Sequence, residues 1–342
     1  MQITWLCLLT FMAVAWVILD GYVFGTGIIY PGVAKSEPER QQVLQTVLPL
    51  WDGDEVWLVA LGAAMVFSFP GLYASAFSGL YFPLIILLWL FMMRGFALEL
   101  RERLEHRFWQ SFWDGCLVVS SALATFFFGV AVGNMLRGVP LGDAGYFFLP
   151  LWTDLRLSPS PGIFDWYTAL IGLLVLFAIT THGAAWVAFR TDGEPRRRAL
   201  RTARRIWPAV VVLTIVDSAL TFGVQPQIPA NFAKHPWGVI FPLLAVAGLA
   251  AVAVFTWIEA DLMAFNASSL YLFGMLCCVA FGLFPYVLPA SNGREGLTIY
   301  NTASGRYSQV IALAWFIPGM LVVLAFNAYA HWRNAGKVRV EA

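Results

Sequence analysis

Long apolar runs alternate with short polar segments along the whole of this sequence. A helix that crosses a membrane needs about 20 mostly apolar residues, and the runs divide into segments of that length. We predict nine membrane-spanning helices, with approximate ranges 3–30, 50–69, 73–93, 112–136, 163–189, 206–224, 237–257, 265–289 and 308–332. The connecting segments are short, so the pattern indicates one all-α, polytopic integral membrane domain over residues 1–342.

The composition supports this interpretation. Of the 342 residues, 60% are hydrophobic and 12% are charged, and the mean hydropathy is +0.72. Soluble domains usually carry about 25% charged residues. The sequence contains no Gly-Lys-Ser or Gly-Lys-Thr phosphate-binding motif, which argues against an ATP-driven pump with its own nucleotide-binding module.

The basic residues collect in alternate connecting segments, as expected for the cytoplasmic side of a membrane. On one predicted face we count sixteen of the 21 lysines and arginines: Lys35, Arg40, Arg94, Arg101, Arg103, Arg107, Arg190, Arg196, Arg197, Arg198, Arg201, Arg204, Arg205, Arg333, Lys337 and Arg339. The other face has Arg137, Arg156, Lys234, Arg294 and Arg306. This split predicts an N-terminus outside and a C-terminus in the cytoplasm.

The run from Arg196 to Arg205 has two interpretations. Clustered arginines are typical of sites for nucleic acid or for anionic lipid. A basic cytoplasmic loop is also what the topology alone requires at this position. We favour the loop, and we predict no nucleic-acid partner.

Cysteine and histidine usage limits the metal chemistry of the chain. The four cysteines lie in predicted spans with no Cys-x-x-Cys spacing, so no iron–sulfur cluster or structural zinc site is indicated. His182 is the histidine that falls clearly within a predicted span. A membrane b-type haem usually has two axial ligands on facing helices. We therefore predict that this chain alone holds no haem, and that His182 is a polar residue at a helix end rather than a ligand.

Acidic residues within predicted spans are the strongest candidates for function, because a carboxylate is costly inside a membrane. Asp20 follows an apolar segment of the first span, and Asp52, Asp54 and Glu55 begin the second. The structural alternatives are that Asp20 forms hydrogen bonds to nearby backbone, and that the acids of the second span form a first turn that suits the helix dipole. The functional alternative is a pathway for protons or cations.

Several ordered motifs carry a resemblance to a known family. Trp51-Asp52-Gly53-Asp54-Glu55-Val56-Trp57-Leu58 and Phe69-Pro70-Gly71-Leu72-Tyr73 resemble the signature of subunit II of the cytochrome bd-type quinol oxidases. Leu19-Asp20-Gly21, Gly133-Asn134-Met135 and Thr181-His182-Gly183 are similar to further motifs of that family and occur in the same order. The resemblance extends over the full length of the chain.

The resemblance implies a subunit of an enzyme of the bacterial cytoplasmic (inner) membrane that oxidises quinol and reduces dioxygen to water. Two b-type haems, haem d and the quinol-oxidation site would lie in subunit I, and this chain would bind none of the haems. The expected fold is two four-helix bundles, here about 1–136 and 163–332, plus one peripheral helix. Membrane lipids and quinol are expected contacts. The resemblance leaves open whether a small single-helix subunit joins the complex, and whether this chain holds a structural quinone.

The resemblance also gives roles to individual residues. Asp52 would help to carry protons from the cytoplasm toward the oxygen-reducing site, with Asp20, Asp54 and Glu55 as further candidates for the pathway. Trp51, Gly53, Trp57, Asn134 and His182 belong to the matching motifs and are expected to be structural. Asp54 departs from the family pattern, in which asparagine is usual, so the division of roles between Asp52 and Asp54 is open.

Two other functions remain as alternatives. In a secondary transporter, the intramembrane acids would bind a coupling ion, and interrupted helices would occupy matching positions in two halves of the chain. The segment Gly21 to Gly27 has no clear counterpart in the sixth helix, which disfavours a transporter. A purely structural subunit would have the same fold and partners, but Asp52 would carry no protons.

Overall fold

The computed structural model describes residues 1–158 and 161–338, and these form an all-α protein. Its helices are α1 (Gln2–Val33), α2 (Glu37–Leu44), α3 (Trp51–Ser68), α4 (Pro70–Gly79), α5 (Tyr81–Leu100), α6 (Arg107–Arg137), α7 (Trp166–Arg190), α8 (Gly193–Val224), α9 (Gln227–Lys234), α10 (Ile240–Trp257), α11 (Asp261–Leu283) and α12 (Arg306–Arg333). Two short antiparallel strands, β1 (Tyr286–Leu288) and β2 (Leu297–Thr298), lie between α11 and α12.

Within the described residues, eight helices are long and apolar enough to cross a membrane. They are α1, α5, α6, α7, α8, α10, α11 and α12, with α5 and α10 extended by short 3₁₀ segments. The other predicted span, 50–69, is present as the 18-residue helix α3. Its first turns carry Asp52, Asp54 and Glu55, so length and composition alone do not qualify it, and the predicted count of nine is not confirmed.

The boundaries of the third predicted span, 73–93, are wrong. The structure divides this region into α4 and α5, with a break at Leu80. Pro83 explains the break, because its ring would clash with the carbonyl of Gly79 in a continuous helix and it has no N–H to donate. The Gly79 carbonyl instead accepts a hydrogen bond from the N–H of Leu149, at 3.2 Å.

Two further boundaries differ from the prediction. The run from Arg196 to Arg205 is not a loop, because α8 begins at Gly193 and the run forms its first turns. Helix α11 ends at Leu283 rather than near residue 289. Pro285 follows at once and cannot supply the N–H that a continuing helix requires.

The core of the molecule depends on a close approach between α1 and α7. A Cβ atom added to Gly25 would lie 2.2 Å from the backbone oxygen of Ile179, and one added to Gly183 would lie 2.2 Å from the backbone carbon of Gly25. Small residues allow such backbone contact between membrane helices, where dispersion forces rather than water exclusion drive packing. The segments predicted as two bundles, about 1–136 and 163–332, meet at this crossing, and the division into bundles stays a prediction.

Ion pairs gather at one end of the helices. Arg40 and Arg101 both contact Asp114, at 3.1 and 2.6 Å, and Arg196 contacts Asp261 at 2.7 Å. The Asp261 side chain is 11% exposed and paired. A hydrogen bond from Arg196 also lowers the pKa of Glu259 below its usual value. These residues belong to the face predicted as cytoplasmic, which places that face at one end of the fold.

We predict that Gly183→Ala destabilises the protein, because the new methyl group would have to push α1 and α7 apart. Overpacking of this kind costs about 1–3 kcal/mol. The thermal unfolding midpoint of the purified complex checks the expectation. Gly223→Ala in α8 is the control, since no atom lies within 4 Å of its added Cβ. Equal midpoints for the two variants would show that the crossing tolerates a methyl group.

Candidate proton-carrying site

The amino end of α3 opens onto a cleft of about 480 Å³. The cleft lies between this end of α3 and the last turns of α12, at the end of the molecule where the ion pairs gather. Its lining residues are Leu48, Pro49, Leu50, Trp51, Asp52, Gly53, Asp54, Glu99, Phe326, Asn327 and Ala330. Asp52 is exposed here, so its carboxylate can exchange protons with water in the cleft.

Asp54 lies two residues further along α3 and is only 1% exposed. The hydroxyl of Tyr22, from α1, donates a hydrogen bond to its Oδ2 atom. Among the described residues, Oδ1 of Asp54 has no hydrogen-bond partner. Nε2 of His331, near the end of α12, lies 3.3 Å from the Tyr22 hydroxyl. The two acids of α3 are therefore in different environments, with Asp52 in the cleft and Asp54 enclosed by α1 and α12.

A buried arginine joins the other two candidate acids. Nη1 of Arg94 is 2.5 Å from Oδ1 of Asp20, and Nη2 is 2.9 Å from Oε2 of Glu55. Arg94 and Asp20 are both fully buried, whereas the Glu55 side chain is 27% exposed. Trp16 donates a second hydrogen bond to Asp20, at 3.0 Å. Such pairing is how a charge is accommodated inside a membrane protein.

Arg94 corrects the sequence interpretation. We counted it among the cytoplasmic loop residues, but it lies inside α5, and its guanidinium is 4.1 Å from the centre of the Phe24 ring. The cation therefore has an aromatic face as well as two carboxylates. Apolar residues 95–98 continue the run beyond Arg94. This pattern is the sequence signal that would have placed Arg94 within a helix.

The remaining signature residues of α3 hold the helix in position. The Trp51 ring packs against Gly95 of α5, and the ring of Phe326 on α12 packs against Gly53. Trp57 is 1% exposed and meets the Phe11 ring edge-on, with the centroids 5.9 Å apart. These three residues make packing contacts at this site, and their structural role stays a prediction.

His182 is in α7, away from the cleft, and is fully buried. Nδ1 lies 2.8 Å from the Ser268 hydroxyl, and Nε2 lies 2.9 Å from the backbone oxygen of Ile18. Both ring nitrogens are therefore engaged, and the site does not suit a haem iron, which needs a free nitrogen. His182 thus lies inside α7 rather than at its end, and it links α7 to α1 and α11.

The structure does not bring Asn134 to the acidic site. Twenty residues separate it from Asp114 along α6, which corresponds to about 30 Å. Its Nδ2 donates to the backbone oxygens of Val130 and Ile163, at 2.8 and 3.0 Å. Arg137 donates to its Oδ1 at 2.5 Å and also pairs with Asp165.

Arg137, which we counted on the opposite face, lies at the end of α6 and is buried there, at 7% exposed. Its guanidinium is held by Asp165, which caps the start of α7 by accepting hydrogen bonds from the N–H groups of Tyr167 and Thr168. The contacts among Asn134, Arg137 and Asp165 fix the end of α6 to the start of α7.

Sequence reasoning also missed Tyr22 and His331. Tyr22 lies within a run that is otherwise apolar, two residues after Asp20, and polar side chains in such runs are a signal for function. His331 lies at the end of the last predicted span, 308–332. Its contact with Tyr22 joins residues 309 positions apart, and no local pattern reports such a separation.

We predict that Arg94→Met strongly destabilises the complex, because Asp20 would lose its buried counter-charge. Breaking a buried ion pair costs about 3–5 kcal/mol. Thermal unfolding of the purified complex measures the loss, with the exposed Arg103→Met as control. A second substitution, Asp20→Asn, should restore part of the stability. If Arg94→Met and Arg103→Met unfold at the same temperature, the pair does not stabilise the fold.

Comparisons with known proteins agree with the arrangement of this chain. The family model of the cytochrome bd terminal oxidase subunit II matches residues 1–333. The chain is 26% identical to the cytochrome bd-I ubiquinol oxidase subunit 2 of Escherichia coli, over all of this chain and 96% of that protein. It is 28% identical to the cytochrome bd ubiquinol oxidase subunit 2 of Bacillus subtilis, over 91% and 89% of the two chains.

The fold is also similar to a solved structure. A chain of the bd oxidase from Geobacillus thermodenitrificans superposes with a TM-score of 0.76 and 17% identity, and each chain is covered to 97%. At this level of identity the similarity concerns the fold alone. The family model covers nearly the whole sequence, and the chain therefore belongs to the family of cytochrome bd terminal oxidase subunit II.

Proposed function

We propose that this chain is the second subunit of a membrane-bound quinol oxidase, in which it assembles with a subunit I and brings protons from the cytoplasm. The match of residues 1–333 to the family carries the first part of the proposal. The subunit 2 proteins of Escherichia coli and Bacillus subtilis are named as parts of ubiquinol oxidases. This chain would have the same reaction, quinol and dioxygen to quinone and water.

The haems of the complex, two of type b and one of type d, would be bound by subunit I. His182 supports this assignment, since both of its ring nitrogens are already engaged within this chain. When bound in the partner, the haems supply the electron transfer and the reduction of dioxygen. The residues of this chain would contribute to proton delivery and to the packing of the complex.

Asp52 would be the residue that collects protons. Its carboxylate is exposed in the cleft at the amino end of α3, and the more deeply placed acids, Asp54, Glu55 and Asp20, follow within α3 and α1. An exposed carboxylate followed by buried ones is the order that a proton path inward requires. Asp20 and Glu55 both bind Arg94, whereas Asp54 has no cation partner among the described residues, and Asp54 is therefore the acid that we propose to receive the proton.

The direction of this proton path decides whether the reaction separates charge across the membrane. If the cleft faces the cytoplasm, as the distribution of basic residues predicts, protons consumed in dioxygen reduction come from the inside. Protons released by quinol on the outer side would then complete a charge separation across the membrane without a pump. The N-terminus of the chain would lie outside and its C-terminus in the cytoplasm.

The alternatives have less support. The secondary transporter is not favoured, because the chain belongs to an oxidase family and its full-length relatives are named as oxidase subunits. A purely structural subunit shares the family and the fold, and the test of Asp52 separates it from the proposal. A structural quinone in this chain and an additional small subunit remain expectations from the resemblance.

The assignment to the oxidase predicts a spectroscopic result. When the complex is purified through a tag on this chain, its reduced-minus-oxidised absorption spectrum should show bands of haem b and haem d. The same chain expressed without subunit I should show neither, because its histidines offer no ligand pair. Absence of these bands from the intact, purified complex would contradict the assignment.

The role of Asp52 predicts that Asp52→Asn in the assembled complex lowers quinol oxidase activity and charge separation by on the order of tenfold or more, because a positioned proton-transfer group is lost. The rate of quinol oxidation measures the activity, and membrane-potential generation by the complex in vesicles measures the charge separation. Glu105→Gln, which removes an exposed carboxylate from the loop before α6, is the control and should leave both rates unchanged. Unchanged rates in an intact Asp52→Asn complex would leave only the structural role.

A further inference from the structure

Three polar side chains from three helices form one hydrogen-bonded line beside the cleft. Tyr22 of α1 is the central member: its hydroxyl contacts Oδ2 of Asp54 on α3 and lies 3.3 Å from Nε2 of His331 on α12. Asp54 and Tyr22 are buried, and His331 is half-buried. Two titratable groups are thus connected through a single hydroxyl group.

The other contact of His331 decides which ring nitrogen carries a hydrogen. Nδ1 lies 2.9 Å from the backbone oxygen of Asn327, and a carbonyl oxygen only accepts hydrogen bonds. Nδ1 therefore donates. Nε2, which faces Tyr22, accepts a hydrogen bond when the ring is neutral and donates one when the ring is protonated.

The Tyr22 hydroxyl has one hydrogen to donate, so the line is fully hydrogen-bonded in two arrangements. In the first, protonated His331 donates to Tyr22, and Tyr22 donates to ionised Asp54. In the second, protonated Asp54 donates to Tyr22, and Tyr22 donates to neutral His331. The arrangements interconvert when one hydrogen passes from Nε2 to the Tyr22 oxygen while the hydroxyl hydrogen passes to Oδ2, so the number of protons is unchanged.

Any other number of protons leaves a hydrogen-bonding group unsatisfied. With one proton more, Tyr22 accepts from both sides and its own hydrogen has no acceptor in the line. With one proton fewer, His331 and Asp54 compete for the single hydrogen of Tyr22. Because unsatisfied buried polar groups are unfavourable, the geometry favours a line that holds one proton.

Charged groups on α1, α5 and α7 act on this line: Asp20, Arg94 and Arg190. On α3, Asp52 lines the same cleft as Asp54, and Glu55 binds Arg94. Asp20 disfavours a negative charge on Asp54, whereas Arg94 favours it. The Arg190 guanidinium lies 5.3 Å from the Trp186 ring, which stacks on Tyr22 at 3.9 Å, and disfavours a positive charge on His331. Asp20 and Arg190 thus favour the arrangement with the proton on Asp54, against the effect of Arg94.

We propose that Asp54, Tyr22 and His331 together hold one exchangeable proton as a reserve beside the entrance at Asp52. The proposal rests on the proposed role of α3 in proton delivery and extends it to α12. After Asp54 gives its proton inward, the neutral and half-buried His331 takes up one proton from water outside, and this proton refills Asp54 across Tyr22, so that the line again holds one. His331 and Tyr22 act as positioning residues for the proton on Asp54.

Infrared spectra of the purified complex, recorded as a function of pH, test the line directly. The carboxylic acid band of Asp54 is identified as the one that Asp54→Asn removes. We expect His331→Gln to move the midpoint of this band by about one pH unit or more, because strongly coupled groups titrate as a pair. The same substitution should move it little in a chain that already carries Tyr22→Phe. His106→Gln, at an exposed histidine, is the control and should have no effect.

Three results would overturn the proposal: no carboxylic acid band assignable to Asp54 at any pH, an unchanged midpoint in His331→Gln, or an equal shift with and without Tyr22→Phe. The last would mean that His331 acts through its charge alone. If His331→Gln does not assemble, Tyr22→Phe by itself must shift the midpoint, and an unchanged value contradicts the line. The readout is independent of turnover, so a failure of Asp52→Asn to slow the enzyme would reject the delivery path without deciding this result.

Discussion

The buried cation of Arg94 is the interaction on which the rest of the site depends. An arginine within a membrane helix is tolerated when carboxylates and aromatic rings replace its water, and here Asp20 and Glu55 do so from two other helices. Because one guanidinium binds both acids, α1, α3 and α5 are fixed relative to one another. Asp20 and Glu55 share this one cation, whereas Asp52 and Asp54 of α3 form no ion pair among the described residues.

The close crossing of α1 and α7 provides the second constraint. Gly25 and Gly183 let the two backbones touch, and one turn away the Tyr22 ring stacks on Trp186 of α7. The stack holds the Tyr22 hydroxyl at a fixed depth, where it meets Asp54 of α3. A residue with a side chain at either glycine would separate the helices and move the hydroxyl away from the carboxyl group. The packing of the core therefore also determines the geometry of the contact between Tyr22 and Asp54.

Sequence reasoning reached the helical membrane fold and the cluster at the start of α3, because both depend on local patterns: apolar runs, and acids where a run begins. It assigned Arg94 to a loop and did not detect that Arg94 and Arg137 are buried, since counting charges by side assumes that each is in water, and a charge paired across helices does not meet that assumption. It also divided helices by hydropathy, which does not detect the clash that Pro83 introduces. It missed the connection between Tyr22 and His331, because only the tertiary fold brings Tyr22 of α1 to Asp54 and His331 of α12 to Tyr22.

Helix geometry explains why two acids so near in sequence lie in different environments. Residues two positions apart on a helix point about 200° apart, so Asp52 and Asp54 face different sides of α3, and only Asp54 meets Tyr22. On the proposed path, a proton would not pass between their carboxyl groups through the helix. It would travel around the amino end of α3, where both residues line the cleft together with Asn327. The contact between α3 and the last turns of α12 would then control the step between the exposed and the buried acid, and the proposal therefore extends to α12, although most of its surface is exposed.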